Sequence, residues 1–164
     1  MLNNSFIRLL LLGIFVFLVI GFVGCKNNND YVRDKIISEI DSKCPNGGEC
    51  QINLNDFTGF EWDRVVIYSD GASEKEISKS LGFEFKKPGE FHNGIAFVSS
   101  SKIIRSESAF SNPEKPSYFD YWVTNISGDE NYAIITPQNA IFTGEKLEWQ
   151  GMDRYLLKAP SHTN

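Results

Sequence analysis

Two histidines and three cysteines are all the imidazole and thiol ligands that this 164-residue chain contains. His92 lies in Glu90-Phe91-His92-Asn93 and His162 lies close to the carboxyl end, and neither has a partner at helical or hairpin spacing. Zinc coordination is therefore not expected, and each reads as a lone histidine. Also missing are a Gly-x-Ser-x-Gly elbow, a phosphate-cradling glycine loop, a dinucleotide fingerprint and a calcium loop of alternating acids. These absences remove the common hydrolase, nucleotide-binding and calcium-binding classes, and no cofactor is expected. Positive charge is in deficit, with 16 Lys and Arg against 21 Asp and Glu, a net charge of −5. Phosphate repels such a chain, so nucleic acid is not an expected partner. Nor is there an uncharged apolar run of roughly 20 residues, the length that crosses a bilayer, with about 17 as the lower limit. The run from Leu9 to Gly24 has sixteen.

What is present begins with that run. Arg8 precedes it, small residues end it, and Lys26, Asn27, Asn28, Asn29 and Asp30 follow. A positive start, a short apolar stretch and a polar continuation are the layout of a secretory leader. An uncleaved anchor helix or ordinary secretion would share that layout. The residues at its end, Phe22-Val23-Gly24-Cys25, resemble the lipobox of bacterial lipoproteins, departing from it at Phe22, where the pattern usually has Leu. The resemblance implies that Cys25 is lipidated with diacylglycerol and palmitate-like chains, that the leader 1–24 is removed, and that 25–29 is a short tether. The expected partner at this end is therefore the membrane, reached through lipid on Cys25. By analogy with enteric bacteria, Lys26 after the cysteine, where an Asp would signal inner-membrane retention, favours the outer membrane, with the domain in the periplasm or cell envelope.

Residues 30–164 are expected to form a single extracytoplasmic domain. Without Arg8 the balance is 15 basic against 21 acidic residues, a net charge of −6. Cys44 and Cys50 bracket the turn-rich Pro45-Asn46-Gly47-Gly48-Glu49. In a compartment that permits disulfides they are expected to bond, because the insert lets the chain double back. Redox motifs space their cysteines by two residues, and no second ligand pair accompanies these.

Tyr31, Val32, Ile36, Ile37 and Ile40 recur at near-helical spacing, predicting a helix over Asp30 to Lys43, capped by Asp30 and ended by Cys44-Pro45. Ser73 and Glu76 have capping-box spacing, with Ile77, Leu81 and then Gly82, predicting a short helix over Ser73 to Leu81. Strands are expected at Gln51–Leu54, Glu61–Tyr68, Ile95–Ser99, Lys102–Arg105, Tyr118–Thr124, Tyr132–Thr136, Ala140–Thr143 and Arg154–Leu157. Ser99-Ser100-Ser101 reads as a turn, Ser111–Ser117 as a proline-bearing loop, and Asp129 and Gly144 as turn residues. The fold class is α+β, a largely antiparallel sheet with an N-terminal helix and a second short one.

The stretch Phe60-Glu61-Trp62-Asp63-Arg64-Val65-Val66-Ile67-Tyr68, with the following helix ending in Leu81-Gly82 and the later Asn93-Gly94-Ile95-Ala96-Phe97-Val98, resembles a group of small uncharacterised bacterial exported proteins. That resemblance implies no activity. Phe60 and Trp62 are expected to pack in the core.

No residue stands out as catalytic. Two acid pairs keep one enzymatic reading open: Glu61 with Asp63 on one face of a strand, and Glu145 with Glu148 in a turn or helix. Glycan hydrolysis needs two carboxyl groups roughly 5 to 10 Å apart. The leading expectation is a non-enzymatic lipoprotein whose acidic domain binds a basic envelope protein or toxin by electrostatic steering. The alternative is an envelope glycan hydrolase using paired carboxylates.

Overall fold

The computed structural model describes residues 31–87, 93–112, 117–123 and 131–159. Among the described residues, two α-helices and two sheets make up the fold. Helix α1 is Val32–Lys43 and α2 is Glu74–Leu81. The strands are β1 Gly48–Asn53, β2 Arg64–Tyr68, β3 Gly94–Ser99, β4 Lys102–Ser108, β5 Phe110–Asn112, β6 Ser117–Val123, β7 Tyr132–Ile135, β8 Ile141–Trp149 and β9 Met152–Ala159. Five strands join in the order β1-β8-β9-β6-β5 and four in the order β4-β3-β2-β7. Pairing is antiparallel except between β6 and β9, which run parallel. The α+β class is as expected, with two sheets in place of the single one.

Local chemistry explains α2. Ser73 accepts a hydrogen bond from the Glu76 amide at 3.3 Å, and Gly82 closes the helix at φ 80°, a backbone conformation that glycine adopts without strain. Ile77 and Leu81, one turn apart, face inward and pack on Val66, Tyr68, Ala96 and Val98 of the four-stranded sheet.

Helix α1 starts differently from its sequence signal. Its first residue is Val32, Tyr31 provides no side-chain cap, and Asp30 lies outside the described residues. The cap comes from 75 positions away: the Glu107 carboxylate on β4 accepts from the Val32 amide at 2.8 Å and the Arg33 amide at 3.0 Å. An anion there satisfies amides that lack an intrahelical partner and meets the positive end of the helix dipole. Arg105 donates to the same carboxylate at 2.9 Å, so this buried charge is paired.

The main core lies between the sheets. Val65, Ile67, Ile95 and Phe97 of the four-stranded sheet meet Phe119, Tyr121, Phe142, Tyr155 and Leu157 of the five-stranded sheet, and Ile36 and Ile40 of α1 join them. Phe60 and Trp62 pack edge-on against Phe97, at 5.1 and 5.7 Å between ring centroids, and so belong to the core as expected. Burial raises the pKa of the Tyr121 phenol far above its ordinary value.

Gly144 is not in a turn. It sits within β8, where a Cβ would come within 2.6 Å of Ile52 Cγ1 and 2.7 Å of Ile40 Cγ1. The missing side chain is what lets α1 lie on the sheet. The turn falls instead at Gln150-Gly151, both at positive φ. At the far end of α1, Lys146 Nζ and the Tyr155 hydroxyl both bond Asp41, at 2.7 and 2.9 Å. Cys44 and Cys50 form the expected disulfide, with a Cα–Cα distance of 6.0 Å, tying the end of α1 to β1.

Candidate functional site

Side chains alternate across a strand, so the register of the five-stranded sheet sorts its residues between two faces. On the inner face are Ile52, Phe142, Gly144, Phe119, Tyr121, Tyr155 and Leu157, under α1 and the other sheet. Opposite them, on the outer face, are Ile141, Thr143, Glu145, Leu147 and Trp149 of β8, Met152, Arg154, Leu156 and Lys158 of β9, and Tyr118, Asp120 and Trp122 of β6. Among the described residues, the core that this sheet shares with α1 and with the four-stranded sheet is built from its inner face.

The bare face is apolar. Trp149 is 54% exposed, Ile141 52%, Trp122 47%, Leu147 39% and Tyr118 37%. These are five of the seven large apolar side chains exposed among the described residues; the other two are Tyr31 and Ile104. Leu156 and Asp120 lie within the same face and are buried.

Its charges are spent on one another. Lys158 Nζ lies 2.7 Å from Glu49 and 2.7 Å from Glu145, and these bonds, led by the one to Glu145, raise its pKa. Arg154 lies 3.7 Å from Asp120, and its guanidinium sits over the Tyr118 ring, 5.6 Å from the centroid. Buried Asp120 also accepts from Asn93 Nδ2 at 2.7 Å and from the Tyr121 amide at 2.8 Å. The face thus offers aromatic and aliphatic surface around linked ion pairs, three carboxylates to two cations.

A second feature is an open depression of about 500 Å³ lined by Asn55, Thr58, Gly59, Phe60, Glu61, Trp62, Asp63 and Pro137. Both carboxylates of the first acid pair are here. They do not share a strand face, because β2 begins only at Arg64. Asp63 Oδ2 accepts from the Ser100 amide at 2.7 Å, where Ser100 and Ser101 turn the β3–β4 hairpin at φ 48° and 61°, the turn expected of the serine run. Glu61 is exposed. Trp62 Nε1 donates to Thr58 Oγ1 at 3.3 Å, within the wall of the depression.

The second acid pair does not form. Glu145 and Glu148 lie in β8, not in a turn or helix, and three positions along a strand place them on opposite faces. Among the described residues, no three His, Cys, Asp or Glu side chains gather to hold a metal ion. Cys25, His92 and His162 lie outside the described residues.

Sequence reasoning missed the outer face. The signal was in Ile141-x-Thr143-x-Glu145-x-Leu147-x-Trp149, where apolar residues recur at even spacing on the side opposite Phe142 and Gly144. The charges between them read as a turn and cut the strand short at Thr143. No family model matches the chain, and neither a curated protein nor a solved structure matches it.

Proposed function

We propose that this chain is a lipid-anchored protein of a bacterial cell envelope whose folded domain works by binding protein rather than by catalysis. The observation that carries the binding reading is the bare outer face, where Trp122, Trp149, Ile141, Leu147 and Tyr118 stand in solvent on one sheet. Exposed apolar surface gathered on one rigid element marks an interaction site, whereas scattered single residues do not. Aromatic residues are also the side chains that dominate protein interfaces.

The anchor is supported by the lipobox-like Phe22-Val23-Gly24-Cys25, with Cys25 as the lipidated residue and Lys26 favouring the outer membrane. Two or three acyl chains on one cysteine make attachment effectively permanent, since each buried methylene contributes about 0.8 kcal/mol. Among the described residues, no helix is long and apolar enough to cross a membrane. A basic envelope protein or toxin, the partner class that the acidic balance suits, would meet the exposed carboxylates of Asp56, Glu61 and Asp63.

The test uses the full chain made in bacteria with labelled palmitate. Label and membrane attachment that vanish in Cys25→Ser support the anchor; label retained in that variant sinks it. Capture from envelope membranes then compares the chain with its Trp122→Ala, Trp149→Ala form. Equal recovery of partners, its own copies included, by both forms would remove the outer face from the reading.

One observation favours a second reading, an envelope glycan hydrolase: Glu61 and Asp63 line the same open depression. Release of reducing sugar from peptidoglycan, reduced at least about 100-fold in Glu61→Gln, is its expected signature. No release by the unaltered chain eliminates it.

A further inference from the structure

We infer that the partner seated on the outer face of the five-stranded sheet is a second copy of this chain, bound through the same face in an isologous dimer. The inference rests on the binding reading above and names the occupant of that surface.

Area is the first argument. Five side chains that are 37 to 54% exposed present roughly 420 Å² of apolar surface, taking about 200 Å² for a whole aromatic side chain and somewhat less for Ile or Leu. A standard interface covers about 800 Å² on each partner, of which somewhat more than half is non-polar, again about 450 Å². The face therefore carries the apolar content of one side of a stable interface. It lies within the range of the largest patch that monomers leave in water, about 300–600 Å², patches that are often functional.

Charge is the second argument, and it selects the occupant. A surface shaped for an oppositely charged partner keeps uncompensated charges of one sign. Here Lys158 is held by Glu49 and Glu145, and Arg154 by Asp120, all within the face. A surface that meets its own copy must avoid like charges aligned across a twofold axis, and internal pairing achieves this. Two cations against three carboxylates leave the face a single negative charge, a small share of the chain's net −5, so little like-charge repulsion opposes its meeting a copy of itself. The exposed acids Glu61 and Asp63 lie in the separate depression and stay free for a basic partner.

The anchor supplies the third argument. Copies tethered by lipid in one leaflet share a thin layer, and confinement raises their effective concentration without any new contact. A twofold interface uses one patch twice and closes at two subunits, so it neither needs nor produces a filament.

The test is cross-linking of the full, lipidated chain in native membranes. Thr143→Cys places a thiol on the outer face, and Lys75→Cys places one on α2, across the molecule. With a short bis-maleimide, the Thr143→Cys chain is expected to give a species of twice the monomer mass, and the Lys75→Cys chain none. Adding Trp122→Ala and Trp149→Ala, or separately Leu147→Lys, is expected to lower the dimer yield at least about tenfold. Circular dichroism checks that these surface changes leave the domain folded. Sedimentation in density-matched detergent gives the independent mass.

Equal cross-linking at both positions overturns the proposal, as does a monomer at every concentration. A Thr143→Cys adduct with a different protein overturns it too, while leaving the binding reading intact. Quenching of Trp122 and Trp149 by brominated lipid would identify the bilayer as the occupant and overturn both.

Discussion

The four-stranded sheet is covered on both sides. Its inner face meets α1 and the five-stranded sheet, and its outer face is covered by α2 and by Phe85, which packs edge-on to Tyr68 at 5.8 Å. The five-stranded sheet, antiparallel except for its β6–β9 pair, has an inner face just as buried. Its outer face, however, carries two tryptophans in water. The two sheets share one core, so their difference is not one of folding need. Among the described residues a capped helix covers one sheet while the other keeps exposed tryptophans, a surface that folding alone does not account for.

Substitutions test whether that distinction is energetic. Phe97→Ala, on the covered side and at the junction of Phe60 and Trp62, is expected to reduce stability by about 3–5 kcal/mol, measured by urea unfolding. A loss below about 1 kcal/mol would mean that the core collapses around the site and that burial is a poor guide here. Glu107→Ala removes the remote cap of α1 together with a buried carboxylate that Arg105 bonds; about 3 kcal/mol is expected. Reduction of the Cys44–Cys50 bond should cost about 2 kcal/mol in the chain-entropy model, read as a fall in the urea midpoint. Trp149→Ala and Trp122→Ala should each change stability by less than about 0.5 kcal/mol while altering association. Should either destabilise the monomer as much as Phe97→Ala does, the outer face belongs to the fold and the contrast between the sheets disappears.

Titration sharpens the same contrast. Burial raises the pKa values of Tyr68 and Tyr121, so both phenols stay neutral in the folded state at pH values where an unfolded chain has released those protons. Their contribution does not vary below about pH 10, and stability falls as pH climbs above it, because only the unfolded state can ionise freely. Absorbance at 295 nm should show these two tyrosines ionising together with unfolding. Their ionisation in a chain that remains folded would show the core to be wetter than its packing implies.

Local signals were legible in the sequence, and long-range ones were not. Ser73, Glu76 and Gly82 announce α2 because a cap is settled within a few residues. Val65-Val66-Ile67-Tyr68 announces β2 because a strand covered on both sides reads as an unbroken apolar run. The cysteine pair was legible from spacing and turn chemistry. The start of α1 was not, since its cap comes from Glu107, 75 positions away. The length of β8 was hidden because Glu145, Lys146 and Glu148 imitate a turn, and Gly144 imitates one more strongly. Only the approach of Ile40 and Ile52 shows why a glycine sits inside that strand. The acid pair at Glu61 and Asp63 was singled out correctly as neighbours, but on the wrong element, since β2 starts one residue later. The candidate docking face went unread for a related reason: a sequence shows which residues are apolar, and not which of two faces something else will cover.

The clamp on α1 has a mechanical side. The first helical amides are gripped by a carboxylate on β4, an edge strand of the opposite sheet. A pull on the chain ahead of Val32 is therefore resisted at the first turn by two hydrogen bonds from backbone amides to the Glu107 carboxylate, which Arg105 of the same strand also bonds. The helix does not peel from a free end; load passes at once into the four-stranded sheet. Tension on the leading segment would have to break that grip before any turn could unwind.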